Sequence, residues 1–301
     1  MGKLDQSIII SRLAKIKYLY KIGIEQAKQV GAFAGFSILA FHDSAEMFLL
    51  LVAEDHGKKG AAKLSFMDFW SEYPDLTMSA SMEKLKDRRV NLKHKGLFPS
   101  ASDIEESRIT ITQFFKENTI KQFGVEFESI SLADLIEFPN IKKYVKKAES
   151  FLEENNIYEC LCNARIGFEE LLSTYDSDKM QWYDSIFNVG EKIGTGFENI
   201  VPRREINKAR WFEQVTKTTN AIRDVLKISA LGIDYKKYAL FCLITPSYTP
   251  TCSPAGEKGY FLRATDTLAT KPEDCRFCID FVIDSALKLQ EFQFSIKDYL
   301  K

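Results

Sequence analysis

At 301 residues, with 41 basic and 42 acidic side chains and a net charge of −1, the chain can build two full cores, and no global charge commits it to nucleic acid or to a membrane surface. Apolar residues make up 45%, which excludes wholesale disorder, and the low counts of 15 Gly and 8 Pro favour long helices over a β-sandwich. No signal-peptide pattern is seen, so the six cysteines are expected as reduced thiols in a cytoplasmic protein.

Residues 7–29 place Ile8, Leu13, Ile16 and Leu19 at helical spacing. Ala32–Asp55 reads as a long apolar helix that stops at Gly57, with Lys58 and Lys59 suited to its C-terminal dipole. His42, Asp43, Ser44 and Glu46 interrupt it, which favours a buried helix over a membrane span. Ala61–Tyr73 reads as a shorter helix closed by Pro74. The next helix starts near Ser79 and carries Met82, Leu85, Arg89 and Leu92 to Gly96, before the break at Pro99. Ser102-Asp103-Ile104-Glu105 has a capping-box pattern and opens a helix through Phe115, with Ile109, Ile111 and Phe114 available for the core. Phe123–Ile130 reads as an extended link, Ser131–Asp134 as a new helix start, and Asn140–Glu154 as a helix bridging the halves.

In the second half, Ile157–Leu172, Lys179–Phe187 and Arg204–Ile228 are expected to be helical. Tyr235–Thr245 fits helix or strand, and Tyr248–Gly259, with two prolines and two glycines, reads as a loop. Thr270-Lys271-Pro272-Glu273 is a second capping-box pattern, opening a last helix to about Phe292. The predicted fold is all-α: an antiparallel helical bundle over residues 1–125, then a second mostly helical domain over 126–301.

The chemistry concentrates in Arg88-Arg89-Val90-Asn91-Leu92-Lys93-His94-Lys95-Gly96. It places one of only three histidines beside two arginines and an asparagine. Arginine binds phosphate through forked hydrogen bonds, and histidine is the side chain best suited to move protons near neutrality. Arg89 and Arg88 stand five and six positions before His94; Asn91, three before it, shares its face and could orient the imidazole or bind substrate. A cationic run at a helix C-terminus is also what a plain solvated face with a favourable dipole would show.

This stretch, following a long apolar helix with embedded acids, resembles the HEPN family, helical bundles named for nucleotide binding in higher eukaryotes and prokaryotes. Its ribonuclease members share an arginine, four to six variable residues and a histidine. The match here is Arg89-x4-His94 or Arg88-x5-His94, within a likeness covering roughly residues 1–120. In many active members a polar residue follows the arginine; here Val90 follows Arg89, and Arg89 follows Arg88, so the register stays open. The resemblance implies metal-independent endoribonuclease activity, by 2′-hydroxyl attack on the adjacent phosphorus, in a toxin or defence effector. His94 would transfer a proton, and Arg89 or Arg88 would stabilise phosphoryl charge, with Asn91 in the site and Lys93 and Lys95 contacting RNA. It further implies a homodimer pooling two Arg–His sets, with neither cofactor nor metal. Residues 126–301 are then the place for a regulator or protein partner, and no membrane is expected. The alternative is a non-catalytic module of the same family that binds RNA, a nucleotide or a protein.

His42-x3-Glu46 lies on one helical face with Asp43 alongside. The acids are expected to face the Arg–His helix and position Arg89, while His42 fits a satisfied buried group. The spacing also suits a metal pair, but no third ligand is evident. His56 reads as a helix-end cap. Cys275-x-x-Cys278 and Cys160-x-Cys162 lack a matching second pair or histidine and read as buried free thiols. Gly190-x3-Gly194-x-Gly196 reads as a turn, and Arg203, Arg204, Lys208 and Arg210 as a helix surface with Trp211 as its buried aromatic.

Overall fold

A capping interaction starts the first helix: the Asp5 carboxylate accepts from the Ser7 amide, opening α1 (Gln6–Ala27). The computed structural model describes residues 4–181, 184–190, 206–252, 258–263 and 271–299. It is predominantly helical, and it divides into two units, 1–135 and 136–301.

In the first unit, α1 runs against α3 (Ser37–Asp55), which also contacts α5 (Ser79–Lys95) and α6 (Ala101–Phe123). The expected helix 32–55 is interrupted: a single turn, α2 (Ala32–Gly35), precedes α3. The Ser37 hydroxyl bonds back to the Ala34 carbonyl at 2.7 Å, competing with the backbone ladder at that break. By length and composition 32–55 passes for a membrane span; here Ile38, Phe41, Ala45, Phe48, Leu49 and Val52 are buried in the unit's core. Phe48 packs edge-on against Phe114 and Phe115, and Phe115 stacks on Phe127 at 4.5 Å.

Several local expectations need correction. Residues 61–73 form no single helix. A 3-10 turn (Ala61–Lys63) follows Gly60, and Asp68 accepts from the Ser65 amide to start the short α4 (Asp68–Glu72). The capping box of α6 is Ser100 with Asp103, two residues before the expected one, and α6 runs past Phe115 to Phe123, ending at left-handed Gly124. Residues 126–135 form turns and a 3-10 segment (Leu132–Leu135) that belong to the first unit. Lys17 holds them by donating to the carbonyls of Glu128 and Ile130, while Phe127 fills the aromatic core. The division therefore falls at 135/136 and not at 125/126.

In the second unit, α7 (Pro139–Glu153) packs on α8 (Ile157–Asp176), and α11 (Pro272–Gln290) contacts both. Residues 235–245 resolve as a helix, α10 (Tyr235–Ile244), capped by Asp234. Phe168, Phe241 and Phe281, on α8, α10 and α11, meet with ring centroids 4.7–5.3 Å apart. Between α8 and α10 runs α9 (Ile206–Ala230).

Two predicted non-strand segments are hairpins. Within 179–187, β1 (Met180–Gln181) pairs with β2 (Asp184–Ser185), because buried Asp176 accepts from Ser185 and Asp184 accepts from Asn188, drawing the chain back on itself. Within 247–263, β3 (Ser247–Cys252) pairs with β4 (Lys258–Arg263), Pro250 opposite Tyr260. A two-stranded ribbon tolerates proline because each strand keeps an outer edge needing no donor. At α11 the N-cap is Lys271, with Pro272 in the first turn; Thr270 of the expected capping box lies outside the described residues.

Candidate functional site

The Arg–His segment forms the last turns of α5. Met82, Leu85 and Leu92 bury one side of this helix and leave Lys84, Lys93 and Lys95 exposed, while Arg88 and Arg89 are partly buried. The helix ends at Gly96 (φ 65°), where the amides of Gly96 and Leu97 both reach the Asn91 carbonyl. Lys93, His94 and Lys95 therefore sit where the dipole favours positive charge.

The two arginines have separate tasks. Arg88 reaches across to α6: Nε and Nη2 donate to Asp103 Oδ1 at 3.2 and 2.9 Å, Nη1 donates to Ser107 Oγ at 2.9 Å, and Nη2 also pairs with Glu106. Lys84 adds a bond to Glu106 at 3.1 Å. Arg88 thus ties α5 to the start of α6, with all three guanidinium nitrogens engaged there. Arg89 has no such partner: its Nε is buried without a hydrogen-bond acceptor. Its charge falls on Asp43 of α3, whose carboxyl is held below the usual range, first by the His42 ring and then by Arg89 and Lys93. His94 is exposed on the closing turn. Asn91 is drawn elsewhere, its Oδ1 accepting from Lys95 Nζ at 3.0 Å.

The Arg88 clamp makes the first unit acid-sensitive. Ser100 and then Arg88 hold Asp103 below its ordinary 3.8, while Arg88 and then Lys84 hold Glu106 below 4.5. Lowered carboxylate values contribute stability above those ordinary values, and it is lost as pH falls through the lowered ones. The expected result is that Arg88→Met lowers the melting temperature at pH 7 and shrinks the fall seen between pH 5 and about 3. A variant melting like wild type across that range would contradict the clamp.

On α3, His42, Asp43 and Glu46 each offer one ligand atom, all within 4.8 Å of one another. Asp43 thus offers a third potential ligand atom beside the His–Glu pair. The expected satisfied state of His42 needs correction. The ring is 2% exposed and stacks on Phe66 at 4.3 Å, yet neither nitrogen has a hydrogen-bond partner. Its Nδ1 approaches Asp43 Oδ1 at 3.5 Å without hydrogen-bond alignment. His56 does cap its helix, Nδ1 lying 2.9 Å from the Val52 carbonyl.

Elsewhere, Cys160, Cys162, Cys275 and Cys278 are buried, burial pushes their thiols up, and none joins a three-ligand cluster among the described residues. Gly190 has a left-handed backbone (φ 70°); the rest of the expected glycine turn, with Gly194 and Gly196, lies outside the described residues, as do Arg203, Arg204 and the Lys208 side chain. Trp211, expected as a buried aromatic, is 64% exposed on α9.

Fold and site together define a helical protein of two units, the first carrying a cationic helix end beside an acidic stripe. Comparisons with family models, curated proteins and solved structures find no match.

Proposed function

We propose that the first unit is a metal-independent endoribonuclease centred on Arg89 and His94. The observation that carries this reading is the division of labour on α5. Arg88 is consumed by α6, whereas Arg89 keeps a buried, partnerless Nε, and an exposed His94 follows on the same helix. A buried guanidinium N–H without an acceptor favours an anionic oxygen, and phosphate supplies one. Arg89 stabilises charge on the phosphoryl oxygens, and His94 protonates the leaving 5′ oxygen as the ribose 2′-hydroxyl attacks phosphorus and passes its own proton to solvent water. The scissile P–O bond breaks, leaving a cyclic phosphate and a 5′-hydroxyl. Asp43 orients Arg89, and exposed Lys93 and Lys95 attract the RNA backbone. The test is whether purified protein cleaves RNA in EDTA and stops doing so without His94.

In this reading the active form is a homodimer, since each chain offers a single Arg–His set. Beside that set, Phe33, Phe36, Leu97 and Phe98 are 66%, 40%, 58% and 50% exposed, and the Phe36 and Phe98 rings meet at 5.6 Å. A second copy covering this patch places two sets together. Phe98→Glu is expected to give a monomer in light scattering and to lose most cleavage while melting like wild type. A variant still dimeric and fully active would remove the patch from the account. The second unit is proposed as the regulator of an activity harmful to its own cell; residues 1–135 alone cleaving no faster and proving no more toxic than the full chain would sink that assignment.

A second reading, a non-catalytic RNA- or nucleotide-binding module, is favoured by one observation: Asn91 is engaged by Lys95 and does not contact His94. It predicts affinity for RNA that falls with salt and with neutralisation of Lys93, with no turnover.

A further inference from the structure

His42 combines full burial with an unmet need. Both ring nitrogens lack hydrogen-bond partners at 2% exposure, which is costly for a polar group removed from water. The ring cannot easily turn elsewhere, because it is stacked on Phe66 at 4.3 Å and 28°. What lies within reach is acidic. A His42 nitrogen, an Asp43 oxygen and a Glu46 oxygen all fall within 4.8 Å of one another. His42 and Glu46 are four residues apart and share a helix face; Asp43 adds its carboxylate from the next position.

We infer that His42, Asp43 and Glu46 bind one divalent transition-metal cation, of the class of zinc or cobalt(II). The donor set decides the class. One imidazole with two carboxylates suits these borderline ions, while calcium and magnesium favour all-oxygen shells. The cation supplies the electron-pair acceptor that His42 lacks, and it neutralises two carboxylates placed side by side on one helix. Its entry is from the Asp43 side, where the side chain is 53% exposed, with water completing the coordination.

The groups facing the cluster set its strength. Arg89 and Lys93 of α5 both place positive charge on Asp43, so the cation competes with them. Neutralising Arg89 therefore strengthens binding. This assignment goes beyond the ribonuclease reading and stands or falls without it, because its readout is metal binding and not cleavage.

The test uses the full chain, freed of metal and kept reduced, titrated with Co²⁺ and then challenged with Zn²⁺. The expected result is one equivalent of Co²⁺, visible as d–d absorption without thiolate charge transfer and displaced by Zn²⁺. Glu46→Gln and Asp43→Asn each weaken it by at least about 10-fold, the scale of losses when a metal's coordination shell is disturbed. Arg89→Gln tightens it. His42→Asn tests the remaining ligand, and because His42 lies in the core, the partly exposed Glu46 and Asp43 variants decide the matter if that one fails to fold. Absence of binding by wild type would overturn the site. So would thiolate charge-transfer bands, or equal affinity in the Glu46 and Asp43 variants.

Discussion

On the proposed ribonuclease reading, His94→Ala is expected to lower RNA cleavage by about 10²–10⁴-fold, the usual worth of a positioned general acid, and to leave the melting temperature unchanged. The second half follows from exposure: His94 is on the surface of the last turn of α5 and takes part in no core contact. Arg89→Ala produces a loss of about 10²–10³-fold, as for other donors aimed at developing negative charge. Arg89→Lys restores little, because an ammonium cannot reproduce the guanidinium fork. Arg88→Met behaves differently, losing stability through the Asp103, Glu106 and Ser107 contacts while the site retains its own arginine. Relative rates, melting temperatures and RNA affinities measured on the same four variants separate these effects. Equal loss of stability and activity in all four would dissolve the division of labour between the arginines.

The largest effect on stability is expected in the second unit, at Arg165. Its Nη2 lies 2.9 Å from Glu169 Oε1, with the two side chains 10% and 12% exposed. Its Nη1 reaches Cys242 Sγ at 3.3 Å and Thr245 Oγ1 at 3.4 Å, and the guanidinium lies 4.7 Å from the Tyr248 ring centroid. Burial raises Glu169 above the ordinary carboxylate value, Arg165 acting against that rise. Arg165→Ala strands a buried carboxylate and costs about 3–5 kcal/mol, whereas replacing both partners with apolar residues of similar volume is near neutral. The sign with pH is opposite to that of the Arg88 clamp. A carboxyl raised on folding favours the folded state at low pH and loses that contribution as pH rises from 4.5 through the raised value. Without Arg165 that decline extends to higher pH. Urea unfolding of single and double variants between pH 4 and 8 measures both; a single-variant loss under about 1 kcal/mol would contradict the buried-pair description.

Much of the helical plan was legible because it is written in local chemistry. The spacing of Leu13 and Ile16, the glycine after Lys95 and the proline before Glu273 each act within a few residues, and α1, α5 and α11 formed close to where those signals stand; Ile8 and Ile109, expected on core faces, are instead 47% and 55% exposed, and Ile9 is buried in place of Ile8. Segments governed by distant partners were not legible in this way. Residues 180–181 pair with 184–185, and 247–252 with 258–263, through strand pairing that neither the helical spacing nor Pro250 announced. Residues 126–135 fold onto α1 because Lys17 reaches their carbonyls, a contact more than 100 positions away in sequence.

The candidate site divides along the same line. The residue types in Arg88–His94 raised the expectation of phosphate chemistry, but two adjacent arginines are equivalent until their neighbours are known. Asp103, Glu106 and Ser107 on α6 distinguish them by claiming Arg88. Asp43 was visible as an acid near His42, but its place as a third potential ligand depends on side-chain geometry on α3. Asn91 shows the converse: spacing put it on the face of His94, and the helix end gave its carbonyl to the cap and its side chain to Lys95.

The most direct measurement is cleavage of tRNA and unstructured RNA by the purified full chain in EDTA, with the product ends identified. The account predicts cleavage that persists in EDTA, leaves cyclic phosphates and 5′-hydroxyls, and disappears in His94→Ala and Arg89→Ala. RNA that is bound but left intact across salt and pH, or cleavage that survives the loss of His94, would contradict it.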